Sequence, residues 1–238
     1  MLFRKDGNAW NACVGNNGLQ DDWKYADGYS KNCEAIMQKL IEAKRIDLDI
    51  LVYPLVFSAR HSIELFLKET IRKINRLRRI YNEDELNIFI QKTHSLKSIW
   101  NKYVEISIKT DRRFIYYRNR LSIYVDEFEK IDLEGQTFRY SSNVKGLKNL
   151  VNQSTIDIVN FYKEYRKVWD VLESIRSRYY ELKEEYNIQT ITNNLSRRDI
   201  RLISLELPKY SKWKNKELFI KNKRKLKEKY NISYTELD

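Results

Sequence analysis

The sequence has little glycine or proline. Its 238 residues include 6 Gly and 2 Pro, and no regular pattern of turns divides the chain into short strands. A β-sandwich requires such turns at short intervals, so their scarcity favours long helices. The sequence predicts an all-α protein with one main domain and a small appendage.

Cysteine is equally scarce. Cys13 and Cys33 are too few for a disulfide framework, and they have no metal-ligand spacing with each other or with the histidines. We therefore expect free thiols and no metal site. A glycine-rich phosphate loop of the form G-x-x-x-x-G-K-[ST] does not occur, which disfavours nucleotide hydrolysis. No cofactor is expected.

Long apolar runs are missing too. The amino-terminal segment MLFRKDGNAW lacks the apolar centre of a signal peptide, and the longest apolar run, ILVYPLVF, contains Pro54 and is too short to cross a bilayer. We expect a soluble, cytoplasmic protein that does not engage a membrane.

Positive charge is abundant. The chain carries 45 Lys and Arg against 33 Asp and Glu, a formal net charge of +12. Such a charge attracts polyanions at low salt, and it also favours solubility. The 17 Tyr and 9 Phe fit either a helical core or stacking platforms for bases. RNA is therefore one candidate partner.

Apolar residues recur every three to four positions along most of the chain, which indicates successive helices. An irregular segment 1–29 is expected to pack on a helical bundle 30–195, followed by a basic helical appendage 196–238. Within them the pattern predicts helices at 30–45 with Ser30 as N-cap, at 53–79, from Asn82 or Glu83 to Lys92, from 93–95 onward, at 112–128 and at 154–186. Residues 131–146 read as a loop or hairpin.

One of the two histidines lies in the stretch FSARHSIELFLKE, residues 57–69. Arg60, Glu64 and Lys68 follow one another at i, i+4 spacing and can form a ladder of ion pairs along one helix face. Glu64 also lies three residues after His61 and can hold its imidazole. This arrangement suits catalysis, and it suits a half-buried structural histidine equally.

The other histidine lies in THSLKSIW, residues 93–100. Thr93, His94 and Ser95 precede a helix, where polar side chains satisfy free backbone N–H groups. A capping or packing role for His94 is the simpler interpretation.

The stretch YPLVFSARHSIELFLKE followed by THSLKSIW resembles HEPN domains, whose second helix commonly reads RHA-x-EL-x-LK before a helix that begins with His-Leu and ends in Leu-Trp. FRYSSNVKG, residues 138–146, is similar to the arginine-tyrosine loop before the last long helix of many such domains. The similarity covers about residues 30–186.

This resemblance implies a dimeric bundle of four or five helices from a bacterial toxin–antitoxin or phage-defence system, with an antitoxin or defence protein as possible partner. Many family members are metal-independent ribonucleases with an Arg-x4-6-His motif. Here the corresponding positions before His61 are Pro54, Leu55 and Val56, and those before His94 are Asn87, Ile88 and Phe89. The motif is absent.

Two hypotheses follow. In the first, the protein is a divergent ribonuclease in which His61, His94, Arg60, Glu64 and Arg139 act on RNA. In the second, it is a non-catalytic HEPN module that binds RNA, a partner protein or a second copy of itself, because the motif is missing.

Two basic segments are candidate RNA contacts. RRFIYYRNR interleaves arginines with aromatic residues, as single-strand binding surfaces do, although an amphipathic helix gives the same pattern. The tail LPKYSKWKNKELFIKNKRKLKEKY can lie on phosphates or form a solvated face. The candidate contacts are Arg112, Arg113, Arg118, Arg120, Lys212, Lys214, Lys223, Arg224 and Lys225.

Overall fold

A computed structural model describes residues 11–15, 18, 21–80, 84–188, 195 and 197–237. Its α-helices are α1 (Asp22–Glu42), α2 (Leu48–Ile80), α3 (Leu96–Thr110), α4 (Arg118–Ile131), α5 (Ile158–Asn187), α6 (Arg197–Glu206), α7 (Lys216–Tyr230) and α8 (Tyr234–Leu237). Short 3-10 helices cover Arg112–Tyr117 and Tyr210–Lys212. Over these described residues no β-strand occurs, only an isolated bridge between Ser142 and Lys148. The predicted all-α class is confirmed.

The described residues divide into two compact units. The first contains the chain up to Asn75 and Leu86–Arg176, and the second contains Arg76–Glu85 and the chain from Ser177 onward. The described part of the predicted basic appendage lies in the second unit.

In the first unit, aromatic and aliphatic side chains of α1, α2 and α5 share a core. The Trp23 indole stacks on Phe66 with ring centroids 5.5 Å apart, and its N–H donates to the Thr70 hydroxyl at 3.0 Å. Phe66 in turn meets the Trp169 ring edge-on. These contacts join three helices around one buried aromatic cluster.

The first helix begins earlier than the sequence pattern predicts. Asp21, not Ser30, is the N-cap, and its carboxylate accepts from the Lys24 backbone N–H. Ser30 is buried inside α1. The apolar stripe already starts at Trp23 and Ala26, so the segment expected to be irregular up to residue 29 is helical from Asp22.

The second helix, α2, also begins before its predicted start at residue 53, so Pro54 lies beyond its first turn. Proline lacks the N–H that would bond the carbonyl of Ile50. By length and composition alone, α2 could cross a membrane. Core helices of soluble proteins pass the same test, and Arg60, Glu64 and Lys68 of this helix are buried inside protein.

The prediction of a helix that ends at Lys92 is wrong over the described residues, because residues 84–92 are not helical. The Asn75 side chain explains this conformation: its amide donates to the Leu86 carbonyl at 2.9 Å, and its oxygen accepts from the Leu86 N–H at 2.9 Å. A long-range amide pair therefore satisfies backbone groups that a helix would have used. The predicted starts, Asn82 and Glu83, lie outside the described residues.

Other elements agree with the pattern. The segment predicted as one helix at 112–128 is a 3-10 helix followed by α4, and the predicted helix at 154–186 is α5. Residues 132–157 form a loop with the bridge between Ser142 and Lys148. In the second unit, Leu195, Ile203, Leu226 and Ile232 form a small core.

Candidate active site

Four charged side chains are buried together beside α2. The Arg60 guanidinium donates through Nη1 to Glu64 Oε2 at 3.0 Å, and Lys68 Nζ donates to Glu64 Oε1 at 2.8 Å. Arg60 Nε lies 3.3 Å from Asp132 Oδ2 and donates to the Asp132 backbone carbonyl at 3.2 Å. Two cations thus face two anions. The i, i+4 ladder expected on a helix surface is an internal network.

The loop after α4 is shaped around this network. Asp132 Oδ1 accepts from the backbone N–H groups of Gln136 and Thr137, at 2.8 and 3.0 Å. Gly135 has a φ of +73°, and a Cβ built there would lie 2.5 Å from Arg60 Nη1. Only glycine allows the loop backbone to approach the guanidinium this closely.

His94 is connected to the network through its backbone and its ring. Its carbonyl accepts from Arg60 Nη2 at 2.5 Å, and its Nδ1 lies 2.9 Å from Glu64 Oε1. The His94 side chain is 57% exposed, whereas that of Glu64 is 2% exposed. Because an ionised carboxylate can only accept, Nδ1 is the donor, and the neutral ring has Nε2 as its free acceptor.

Glu64 is ionised at neutral pH. Burial by itself would raise the pKa of Glu64, but its hydrogen bond and ion pair with Lys68, the His94 hydrogen bond and the Arg60 charge together hold the pKa below its ordinary value. A buried charge of this kind is stable only while its partners remain in place. The carboxylate can therefore fix the tautomer and orientation of His94.

His61 occupies an aromatic pocket. Its ring stacks on Phe57 with centroids 5.3 Å apart and meets the edge of Tyr29 at 4.6 Å. Burial lowers the pKa of His61, Glu64 opposes this effect, and the Arg60, Lys68 and Arg139 charges add to it. The imidazole is therefore neutral at pH values near 7.

Arg139 lies over the same aromatic pocket. Its guanidinium is 5.4 Å from the Phe57 ring centre and 5.2 Å from that of Tyr140, and its Nη2 donates to the Tyr140 hydroxyl at 3.2 Å. Arg139 and His61 thus flank Phe57.

The predicted residues therefore form two neighbouring groups: Arg60, Glu64 and His94 are in direct contact, while His61 and Arg139 meet around Phe57. His61 is one helical turn before Glu64, so their Cβ atoms are about 5–6 Å apart. Among the described residues, no hydrogen bond or ring contact joins His61 to His94. Ser95 is the N-cap of α3, within the segment 93–95 predicted to begin and cap this helix, so the capping residue of that segment is Ser95 and not His94.

Sequence reasoning missed Asp132 and Tyr29. The Asp-x-x-Gly spacing of Asp132 and Gly135 is a turn signal, and it could have indicated a loop capped by a carboxylate. Nothing local indicated that Asp132 would meet Arg60, which lies 72 positions earlier.

The arginine-aromatic segment 112–120 is partly core. Phe114 and Tyr117 are buried, whereas Tyr116 is exposed and lies under the Arg120 guanidinium. Arg113 is paired with Asp111 at 2.9 Å. Arg112, Arg118 and Arg120 are exposed. The side chains of this segment that can contact RNA are therefore Tyr116 and these three arginines.

The basic tail forms an exposed charged surface on the second unit. Lys212, Lys214, Arg224 and Lys225 are exposed, and Lys223 lies 5.3 Å from the Phe219 ring centre. In the same helix, α7, Leu226 is buried in the small core. The tail helix is amphipathic.

Across the part of the chain that the structure describes, no three His, Cys, Asp or Glu residues are placed to hold a metal ion. Cys33 is buried and Cys13 is exposed, and both are free. Comparisons with protein-family models, curated proteins and solved structures give no match for this chain.

Proposed function

We propose that the protein is a HEPN-like, metal-independent endoribonuclease in which His94 is the general acid–base residue. One observation carries the proposal: an exposed imidazole is oriented at Nδ1 by a buried, charge-compensated carboxylate. The same pairing of carboxylate and imidazole orients the base in enzymes that activate hydroxyl groups. The sequence resemblance to HEPN domains and the charge of +12 support RNA as the substrate.

The acid–base residues of the protein contribute only proton transfers to this reaction. Nε2 of neutral His94 removes the proton from a ribose 2′-OH, the 2′ oxygen attacks the adjacent phosphorus, and the bond from phosphorus to the 5′ oxygen breaks. The leaving 5′ oxygen takes a proton from a second group, giving a 2′,3′-cyclic phosphate and a 5′-hydroxyl. In a dimer, as the resemblance implies, the second group is the protonated His94 of the other copy; His61, whose pKa is lowered by burial, does not suit this role as proton donor.

In this proposal Arg60 is a positioning residue. Its guanidinium is buried and binds Glu64, Asp132 and the His94 carbonyl, so it fixes the geometry of the acid–base pair. Arg139, which is exposed beside Phe57, is the cation available to the phosphate.

The experiment compares wild-type protein with His94→Ala and Glu64→Gln on a fluorogenic RNA in the presence of EDTA. We expect wild-type cleavage in EDTA, and a loss of roughly 10²- to 10⁴-fold in rate for His94→Ala, the range for removal of a general acid–base group. Lys97→Gln, three residues from His94, is the matched surface control. Equal rates for His94→Ala and wild type, or no cleavage by wild type, would contradict the proposal.

A second function is favoured by a different observation. The Arg60, Glu64, Lys68 and Asp132 charges satisfy one another, as in a structural network, and the family motif is absent. In this alternative the protein is a cytoplasmic, dimeric HEPN module that binds RNA, an antitoxin or a defence protein. RNA binding with no cleavage by wild type would support it.

A further inference from the structure

A polar cleft in the first unit has the chemistry of a nucleotide site. It encloses about 460 Å³, which is within the usual range for small-ligand sites. Tyr53 of α2 lines one part, and the loop before α5 supplies the remainder: Thr137, Phe138, Arg139, Tyr140, Ser141, Lys148, Asn149, Leu150 and Gln153. No acidic residue is among these lining residues.

The charges in the cleft are uncompensated. Arg139 contacts two aromatic rings and the Tyr140 hydroxyl, and neither Arg139 nor Lys148 pairs with a carboxylate among the described residues. Two cations lining one cleft without an anion create a field suited to a phosphate group.

Aromatic faces accompany these cations. The Tyr53 and Tyr140 side chains line the cleft, and these residues are 47% and 53% exposed. Aromatic rings of this kind stack on bases of any identity. A neighbouring hollow of about 300 Å³ shares Tyr53, Phe138, Leu150 and Gln153 with the cleft. Asp49 is its one acidic lining residue, so this hollow has room for an uncharged base or ribose and does not suit the phosphate.

Hydrogen bonds within the loop that carries these groups connect its segments. The Asn149 N–H donates to the Ser141 carbonyl at 2.9 Å, and its side-chain amide donates to the Tyr140 carbonyl at 2.8 Å. Asn143 Oδ1 accepts from the N–H groups of Lys145 and Leu147. Such bonds pre-organise a loop and reduce the entropy lost when a ligand binds.

A second hollow, of about 270 Å³, contrasts with this cleft. It lies between α4 and α5, and Glu127, Asp157 and Glu164 are among its lining residues. Those carboxylates repel phosphate, so the hollow does not suit RNA.

We infer that this Tyr53–Arg139–Tyr140–Lys148 cleft binds one nucleotide of a single-stranded RNA, with the base against the tyrosine rings and the phosphate at Arg139 and Lys148. The inference rests on the proposed function for the choice of RNA, but it does not depend on cleavage. The aromatic pocket of His61 adjoins the cleft through Arg139, so the nucleotide lies next to the cation that the proposed function assigns to the phosphate.

The test measures affinity of the full chain for a 2′-O-methylated ten-nucleotide RNA, which lacks the attacking hydroxyl. We expect Tyr140→Ala to weaken binding roughly 5- to 150-fold, as loss of one stacked base does, and Tyr140→Phe to retain most of it. Lys148→Gln should also weaken binding. The matched controls are Tyr25→Ala, with a similarly exposed tyrosine on α1, and Lys145→Gln in the same loop; both should bind as wild type does.

A base analogue gives an independent readout. Fluorescence of 2-aminopurine in the RNA should be quenched by wild type and restored by Tyr140→Ala. Equal affinities for wild type, Tyr140→Ala and Lys148→Gln, or equal losses for Lys145→Gln and Lys148→Gln, would overturn the inference. Uridine monophosphate and inorganic phosphate are each tested alone, to distinguish recognition of an RNA strand from binding of a free nucleotide or of phosphate. Tight binding of inorganic phosphate alone would also overturn the inference.

Cleavage of unmodified RNA by the same variants separates the two proposals. Loss of binding in the cleft variants with no cleavage by wild type would leave the cleft assignment standing and reject the nuclease. Normal binding by all cleft variants, together with cleavage that requires His94, would reject the cleft assignment and leave the nuclease proposal standing.

Discussion

At the scale of single residues, Gly135 determines whether the buried network can form. Its backbone is in the left-handed region, and a Cβ added there would lie 2.5 Å from Arg60 Nη1. The same guanidinium donates to the His94 carbonyl. A buried glycine in the loop after α4 is thereby coupled to the candidate acid–base residue through a single arginine.

We expect Gly135→Ala to lower the free energy of unfolding by roughly 2–4 kcal/mol, because a Cβ both strains the left-handed backbone and displaces a buried arginine. The control is Gly28→Ala in α1, where a Cβ meets nothing within 4 Å and a gain of up to about 1 kcal/mol is expected. Urea denaturation of both variants is the measurement. Equal effects at the two positions would show that Gly135 has no special contact.

The depressed pKa of His61 predicts a pH dependence. Burial lowers the pKa from the ordinary value of 6.5, so the unfolded state binds a proton more readily than the folded state. This contribution to stability is present above the unfolded pKa and is lost as pH falls through the folded pKa. We expect His61→Phe, which keeps a ring between Phe57 and Tyr29, to flatten the decrease in stability as pH falls below the ordinary value of 6.5. Parallel wild-type and variant curves would contradict this.

At the scale of elements, the start of α1 is held by Asp21. Its carboxylate caps the helix and also pairs with Lys73 Nζ of α2 at 2.8 Å. Burial alone would raise the pKa of Asp21, but the hydrogen bond and charge of Lys73 and the capping N–H groups lower it.

We expect Asp21→Ala to cost about 0.5–2 kcal/mol, the usual loss for an N-cap, and Asp21→Asn to cost less because its side-chain oxygen can still cap. The carboxylate contribution is present above the ordinary pKa of 3.8 and is lost as pH falls through the folded pKa. Both variants should therefore lose that part of the acid dependence. Thermal unfolding at several pH values measures it, and an Asn variant as unstable as Ala would argue that the ion pair matters more than the cap.

At the scale of the whole molecule, charge governs the approach of RNA. The net charge of +12, to which every cation contributes, acts on any polyanion, whereas the exposed Arg224 and Lys225 of α7 add a local contribution only where they touch phosphates. Salt dependence distinguishes these contributions, since each phosphate contact releases counterions.

We expect the double variant Arg224→Gln, Lys225→Gln to reduce the slope of log affinity against log salt by about 0.7 for each lost phosphate contact on a single strand. The control, Lys31→Gln with Lys39→Gln on α1, removes the same charge from exposed positions elsewhere. Titration of labelled RNA at several salt concentrations gives both slopes. If the two double variants have the same slope, the tail makes no local contact.

The helices follow from local sequence. The three- to four-residue spacing of Tyr165, Trp169 and Leu172 fixes the buried side of α5, because side chains at that spacing share one face of any helix. A serine or asparagine at a helix start, as at Ser95 and Asn215, marks caps for the same local reason. The sequence by itself therefore determined the all-α class and most helix positions.

Tertiary structure alone decided how the charged side chains meet. The i, i+4 spacing of Arg60, Glu64 and Lys68 is equally compatible with a solvated ladder, and it becomes a buried network only because Asp132 and His94, distant in sequence, pack against it. The same holds for residues 84–92, where Asn75 replaces helical hydrogen bonds. Periodicity records which face of a helix is apolar, but contacts between segments depend on packing that no local pattern encodes.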